Sequence, residues 1–162
     1  MRALVIVPAL VAIAAVLGTP SIGATTPNCT TSRLVLWAGD GEGAAGSVYR
    51  TLELTNPSGH ACVLSGYPGV SAIDLHGRAL GAPASRAPGT RVRVTLQNGA
   101  TARATLRIAQ AASFPAARCN RTAAAGIRVY PPGQTASKTI PFPFDACARR
   151  GPVYLSIGPV RR

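Results

Sequence analysis

Glycine and proline recur so closely after residue 25 that few windows long enough for a helix escape them. Each glycine costs a helix interior about 1 kcal/mol and each proline about 3 kcal/mol, which leaves short extended segments joined by turns. Runs rich in β-branched and apolar residues lie at 33–37, 47–55, 62–64, 70–75, 91–96, 101–108, 127–130 and 153–157. Their spacing, with turn residues between, predicts an all-β antiparallel sandwich or barrel of a single domain.

Alternation sharpens this expectation. Val92, Val94 and Leu96 point one way and Arg91, Arg93 and Thr95 the other, while Ala102, Ala104, Leu106 and Ile108 alternate with Thr101, Arg103, Thr105 and Arg107. One packed face and one wet face are the mark of antiparallel sheets. Asn98-Gly99 between these runs invites a two-residue hairpin. That hairpin would set Val94 against Arg103 and mix the two faces, so either the loop is longer by an odd count or the chain crosses from one sheet to the other there, and the crossing, which closes a sandwich, is the expectation. Gly66-Tyr67-Pro68-Gly69 and Tyr130-Pro131-Pro132-Gly133 are expected to form type II turns.

Residues 1–24 carry Arg2, an apolar run of roughly 15 residues and a small-residue exit at Ala24, the three parts of a secretory signal. The run is shorter than the ~20 residues that cross a bilayer and holds Pro8, so the product 25–162 is expected to be exported and not an integral membrane protein. Thr26, Pro27 and Asn28 before Cys29 do not form a lipid box, which favours a soluble over a lipid-anchored product. Cys29, Cys62, Cys119 and Cys147 are an even set in an exported chain and so are expected to form disulfides. Of the three pairings, Cys29 with Cys62 and Cys119 with Cys147 would each close one local half of the domain. No Cys-x-x-Cys pair or neighbouring histidine suggests zinc, and no metal or cofactor is expected.

The segments Gly43-Ala44-Ala45-Gly46, Leu54-Thr55-Asn56, Cys62-Val63-Leu64-Ser65-Gly66-Tyr67-Pro68-Gly69-Val70, Leu80-Gly81-Ala82-Pro83, Val129-Tyr130-Pro131-Pro132-Gly133 and Gly158-Pro159-Val160 occur in that order. Together with the four cysteines they resemble a domain of unknown function, of the DUF4232 type, found in actinobacterial secreted proteins and lipoproteins. The resemblance covers the chain from Cys29 onward. It implies an immunoglobulin-like β-sandwich exported to the cell envelope, and it brings no catalytic residues.

The acidic residues are Asp40, Glu42, Glu53, Asp74 and Asp145. Asp40 and Glu42 flank Gly41 in a glycine-rich stretch, read as a solvated loop rather than a carboxylate pair or calcium site. His76, Asp74 and a serine suggest a hydrolase only weakly, because no Gly-x-Ser-x-Gly elbow accompanies them; His60 and His76 read as turn residues. Trp37 is expected in the core. Tyr49 shares its strand side with Thr51 and Glu53 and is a candidate exposed contact.

Arginine is the strongest functional lead. The chain carries a formal net charge of +12, one unit of which leaves with Arg2, and Lys138 is its one lysine. Arg91 and Arg93 share one solvent side and Arg103 and Arg107 another; together they form a candidate basic binding face, with Arg149, Arg150, Arg161 and Arg162 crowding the C-terminal part. Such a face would attract anionic envelope lipid or glycan, or a secreted protein partner. Arginine that merely solubilises the sheet in a GC-rich proteome is the plainer account. Nucleic acid is not expected of an exported chain without interleaved aromatic and basic residues. The sequence therefore predicts a non-enzymatic, envelope-associated binding module, with a hydrolase of atypical site as the alternative.

Overall fold

Two long strands of alternating sequence set the frame: β2 (Ser47–Thr55) and β8 (Thr101–Ala109) pair antiparallel along their whole length, from Ser47 against Ala109 to Thr55 against Thr101. They belong to a computed structural model that describes residues 25–162; the expected export segment 1–24 lies outside the described residues. Leu52 and Leu54 of β2 and Ala102, Ala104, Leu106 and Ile108 of β8 turn inward and are buried. Tyr49, Thr51, Glu53, Arg103, Thr105 and Arg107 turn outward, as the alternation predicts.

The described chain is all-β. In chain order the other strands are β1 (Val35–Ala44), β3 (Cys62–Ser65), β4 (Gly69–Ile73), β5 (Ala79–Leu80), β6 (Ser85–Arg86), β7 (Arg93–Leu96), β9 (Arg121–Tyr130), β10 (Lys138–Cys147) and β11 (Leu155–Ile157), with a single α-helical turn, α1 (Ala116–Cys119), and 3-10 turns at Thr31–Arg33 and Ala111–Ser113. They form a five-stranded sheet ordered β1-β2-β8-β11-β6, a four-stranded sheet ordered β10-β9-β4-β5, and the pair β3-β7. Pairing is antiparallel except between β11 and the short edge strand β6, which run parallel. All three sheets contribute to one core: Leu52, Leu106 and Leu155 from the first, Val70, Ile127 and Val129 from the second, Leu64, Val94 and Leu96 from the third. Among the described residues no helix is long and apolar enough to cross a membrane.

The step from β7 to β8 crosses between sheets, the preferred of the two arrangements that side-chain parity allows. Residues 97–100 make the turn, with the Ala100 N–H donating to Gln97 O at 3.0 Å; β7 then pairs with β3 and β8 with β2. Behind the turn lies Asn56, wholly buried. Its Nδ2 donates to His60 O at 2.8 Å and Leu96 O at 3.0 Å, and its Oδ1 accepts from the Ser58 N–H and hydroxyl. One side chain thereby ties the ends of β2 and β7 to the loop before β3.

The disulfides join Cys29 to Cys62 and Cys119 to Cys147. The first fastens the N-terminal segment to β3; the second fastens α1 to the end of β10. Tyr154, fully buried, packs beside this second staple and donates its hydroxyl to Leu80 O at 3.1 Å.

Four expectations need correction. The glycine-rich stretch with Asp40 and Glu42 is strand, not loop: β1 runs through it to Ala44, with a register shift between Ala38 and Gly41 that absorbs the extra residue. Strand β10 was unforeseen because it holds Pro141 and Pro143, which central strands exclude; it lies at a sheet edge and shifts register between Pro141 and Phe144, where prolines are tolerated. Of the two Pro-Gly turns, 130–133 matches: Gly133 takes φ 72° and the Gln134 N–H donates to Pro131 O at 3.0 Å. In 66–69 the positive φ falls on Gly66 instead, and Gly69 already belongs to β4. Lastly, Trp37 is 56% exposed. Leu34 is buried and Leu36 and Ala38 pack against the core, so period-two geometry turns Trp37 outward.

Candidate functional site

The outward side of the five-stranded sheet gathers its polar residues in rows. Trp37 lies opposite Glu53, Glu53 opposite Arg103, and Arg103 is bridged to Arg161 of the C-terminal segment. In the next row Glu42 faces Tyr49, Tyr49 faces Arg107, and Arg107 faces Ser156. Thr51 and Thr105 stand between the rows. A shallow groove of about 450 Å³ runs over this surface, lined by Arg103, Arg107 and Arg161 together with Tyr49, Thr51 and Pro159.

Backbone pairing of the chain's end explains how Arg161 arrives there. Arg103 and Arg161 exchange two hydrogen bonds, at 2.7 and 2.8 Å, and the Val160 N–H donates to Gly66 O at 2.8 Å. The C-terminal segment is thus held between β8 and the end of β3.

The three guanidiniums are not equivalent. Arg103 Nε donates to Glu53 Oε1 at 2.9 Å while the Trp37 indole N–H donates to Glu53 Oε2 at 2.7 Å. The indole hydrogen bond above all, with the Arg103 hydrogen bond and charge behind it, holds the Glu53 carboxyl below its ordinary pKa. Arg103 is therefore partly neutralised. Among the described residues the ion pairs are Arg103–Glu53 and Arg78–Asp74, so Arg107 and Arg161 carry uncompensated charge into the groove.

A second group of arginines borders the first. Arg86 and Arg91 place their guanidinium carbons 5.6 and 5.8 Å from the centroid of the Tyr67 ring, within range of cation–π attraction. The Tyr67 hydroxyl donates to Gly89 O at 2.8 Å, and Gly89 lies against Pro159 and the Arg161 guanidinium. The loop 87–91 therefore abuts the C-terminal segment, and the basic surface continues from Arg107 and Arg161 to Arg86 and Arg91.

The four arginines expected to form the basic face do not share one plane. Arg103 and Arg107 share the groove, Arg91 lies over Tyr67 at its border, and Arg93, on the β3-β7 sheet, lines a separate cleft of about 280 Å³ with Arg162. Arg161, noted in the sequence only among the arginines that crowd the C-terminal part, joins this groove, and Arg86 was missed. No local period reports that the chain's end will pair with β8, or that the loop after β5 will fold beside Tyr67.

The acidic and histidine residues serve the fold where their bonds are visible. Asp74 accepts from the backbone N–H groups of His76 and Arg78, each at 2.9 Å, and from Arg78 Nε at 2.8 Å. The Arg78 backbone bond foremost, then the Arg78 side chain and the His76 N–H, hold its carboxyl below the ordinary range. Both Asp74 oxygens are thus occupied in shaping the loop between β4 and β5. Among the described residues no cluster of three metal-ligating side chains occurs.

Neither a curated protein nor a solved structure matches this chain. A family model matches the chain over residues 29–161, and the chain belongs to the family described as Domain of unknown function (DUF4232).

Proposed function

We propose that this protein is an exported, non-enzymatic binding module that holds an anionic component of the cell envelope against the groove on its five-stranded sheet. The observation that carries this reading is the convergence of Arg103, Arg107 and Arg161 on one groove, two of them without a carboxylate partner. Tyr49 in the groove and Trp37 beside Glu53 add exposed aromatic surface, 39% and 56% accessible, against which a polymer's apolar faces can lie. The sheets' shared core supports an immunoglobulin-like sandwich as scaffold. Two disulfides suit an oxidising site outside the cytoplasm.

The test measures binding to polygalacturonate and to vesicles containing phosphatidylglycerol, with Arg107→Gln/Arg161→Gln compared with Arg93→Gln. Affinity should fall by about tenfold or more between roughly 50 and 200 mM salt, as counterion release requires. The double variant should lose most of the remaining binding and Arg93→Gln little. Binding that ignores salt, or that survives the double change, rejects the groove as the site.

A further inference from the structure

Two aromatic rings stand on the same outward side as the arginines of the basic groove, and each shares a cross-strand row with one arginine of β8. Tyr49 lies directly opposite Arg107, and Trp37 is linked to Arg103 through Glu53. Arg103 and Arg107 belong to one strand, so these two aromatic–arginine couples repeat about 13 Å apart along the sheet. Thr51 and Thr105 face each other midway. Val35, on the outward side of β1 next to Trp37, is exposed like the two rings and widens the apolar end of the surface.

The Trp37 ring is held in place. Its indole N–H donates to Glu53 Oε2 at 2.7 Å, and the other oxygen of that carboxylate accepts from Arg103 Nε at 2.9 Å. Ring, carboxylate and guanidinium form one array. The polar edge of the indole is committed to the protein, and what it offers a ligand is apolar ring surface. Arg103 keeps its remaining N–H donors for a second partner.

A ligand that uses both parts of this surface carries negative charge and apolar faces in alternation along its length. A bilayer is flat, whereas Ala87, Pro88 and Pro159 line the far side of a groove. A simple polyanion has no face to lay on the rings. A uronic acid polymer has both: each pyranose presents an apolar C–H face, a rim of hydroxyls and a carboxylate suited to a guanidinium. A pyranose unit is about as long as the spacing between strands, so about three of them span the 13 Å between the couples. Resting on the groove's role as an anion-binding surface, we infer that its ligand is a linear acidic polysaccharide of the uronate class. The chain lies along β8, with sugar faces on Trp37 and Tyr49 and carboxylates on Arg103, Arg107 and Arg161.

Calorimetry tests this with galacturonate oligomers from monomer to hexamer, with poly-L-glutamate and with phosphatidylglycerol vesicles. Affinity should climb steeply between the dimer and the tetramer, where the chain first spans both rings. Trp37→Ala and Tyr49→Ala, each at an exposed ring, should each weaken the tetramer about fivefold, the scale of one aromatic contact. Poly-L-glutamate has no sugar face, and its binding should follow the arginines alone; Arg107→Gln/Arg161→Gln should weaken both ligands. A flat length series, or a tetramer that binds equally to both ring variants, overturns the polysaccharide assignment while arginine-dependent binding of poly-L-glutamate keeps the groove as an anion site. Vesicles that bind where the oligomers do not have the same consequence. Should none of the three ligands bind, the assignment and the anion-binding groove fall together.

Discussion

Asn56 concentrates more of the fold in one side chain than any other polar residue in the core. Replacing it with alanine leaves the Leu96 and His60 carbonyls without their donor and the Ser58 N–H without its acceptor. Each stranded buried group costs about 1–3 kcal/mol, so Asn56→Ala should destabilise by about 3 kcal/mol, or roughly 10 °C in Tm. Asn56→Asp tests the direction of those bonds. An ionised carboxylate would confront two carbonyl oxygens, whereas the protonated form can donate to one, so its folded pKa lies above the unfolded value. Its stability is then highest below about pH 4 and lost as pH rises. Urea midpoints at pH 4 and pH 7 check this, and an aspartate variant as stable at pH 7 as at pH 4, relative to wild type, would contradict it. Trp37 teaches a different lesson about single residues. The inward Leu34 and Leu36 already assign Trp37 to the outer side, and that parity was legible; the general tendency of tryptophan to be buried pointed the other way and lost. Where strand geometry and residue preference disagree on a sheet, geometry decides.

Between strands, the legible features were those written in local alternation. The extents of β2 and β8 were readable from their runs, and side-chain parity excluded a tight hairpin at 97–100 and favoured the crossing between sheets; that β2 pairs with β8 was not written locally. Strand β10 was hidden because its prolines fit only an edge, and edge position is a property of the finished sheet. Its neighbour β9 carries the complementary adaptation. Gly126 sits opposite Pro141 in register, and a Cβ there would collide with the Ile140 carbonyl oxygen and lie 2.9 Å from Pro141 Cα. Those are backbone atoms that cannot swing aside. Gly126→Ala should therefore push β10 from β9 and cost about 3 kcal/mol, at the upper end of overpacking penalties. Gly43 in β1 provides the control, because a Cβ added there meets nothing within 4 Å; Gly43→Ala should change stability by less than about 0.5 kcal/mol. Thermal melts of both variants, with hydrogen exchange along β9 and β10, separate a local clash from a general intolerance of strand glycines.

Across the whole molecule, the two staples and the buried tyrosine beside one of them link stability to pH. The staples were readable because each closes one half of the chain, with separations of 33 and 28 residues; loops of that size add about 3–4 kcal/mol each by restricting the unfolded chain. The basic groove was only half readable, since Arg103 and Arg107 declare a common side while Arg161 reaches them through the fold. Tyr154 was not readable at all: nothing local marks it as wholly buried against the Cys119–Cys147 end. Burial disfavours its phenolate and pushes its pKa up from 10.0 to about 12. The folded value lies above the unfolded one, so this contribution is complete below pH 10 and is lost as pH rises from 10 towards 12. Two units correspond to about 3 kcal/mol. At the acid end the signs reverse, because Glu53 and Asp74 have lowered values and support the fold only above the ordinary carboxylate range; both lie near the surface, where such pairs contribute little. The alkaline limb should therefore be the steeper one between pH 10 and 11.5, measured as urea midpoint by far-ultraviolet circular dichroism. Phenolate absorbance from Tyr154 should appear only as the fold is lost. Tyr154→Phe gives up one hydrogen bond to Leu80 O, so it should be slightly less stable at pH 8 and should lose less than wild type on going to pH 11.5. If the two proteins fall in parallel, ionisation of the buried phenol is not what opens this fold in alkali.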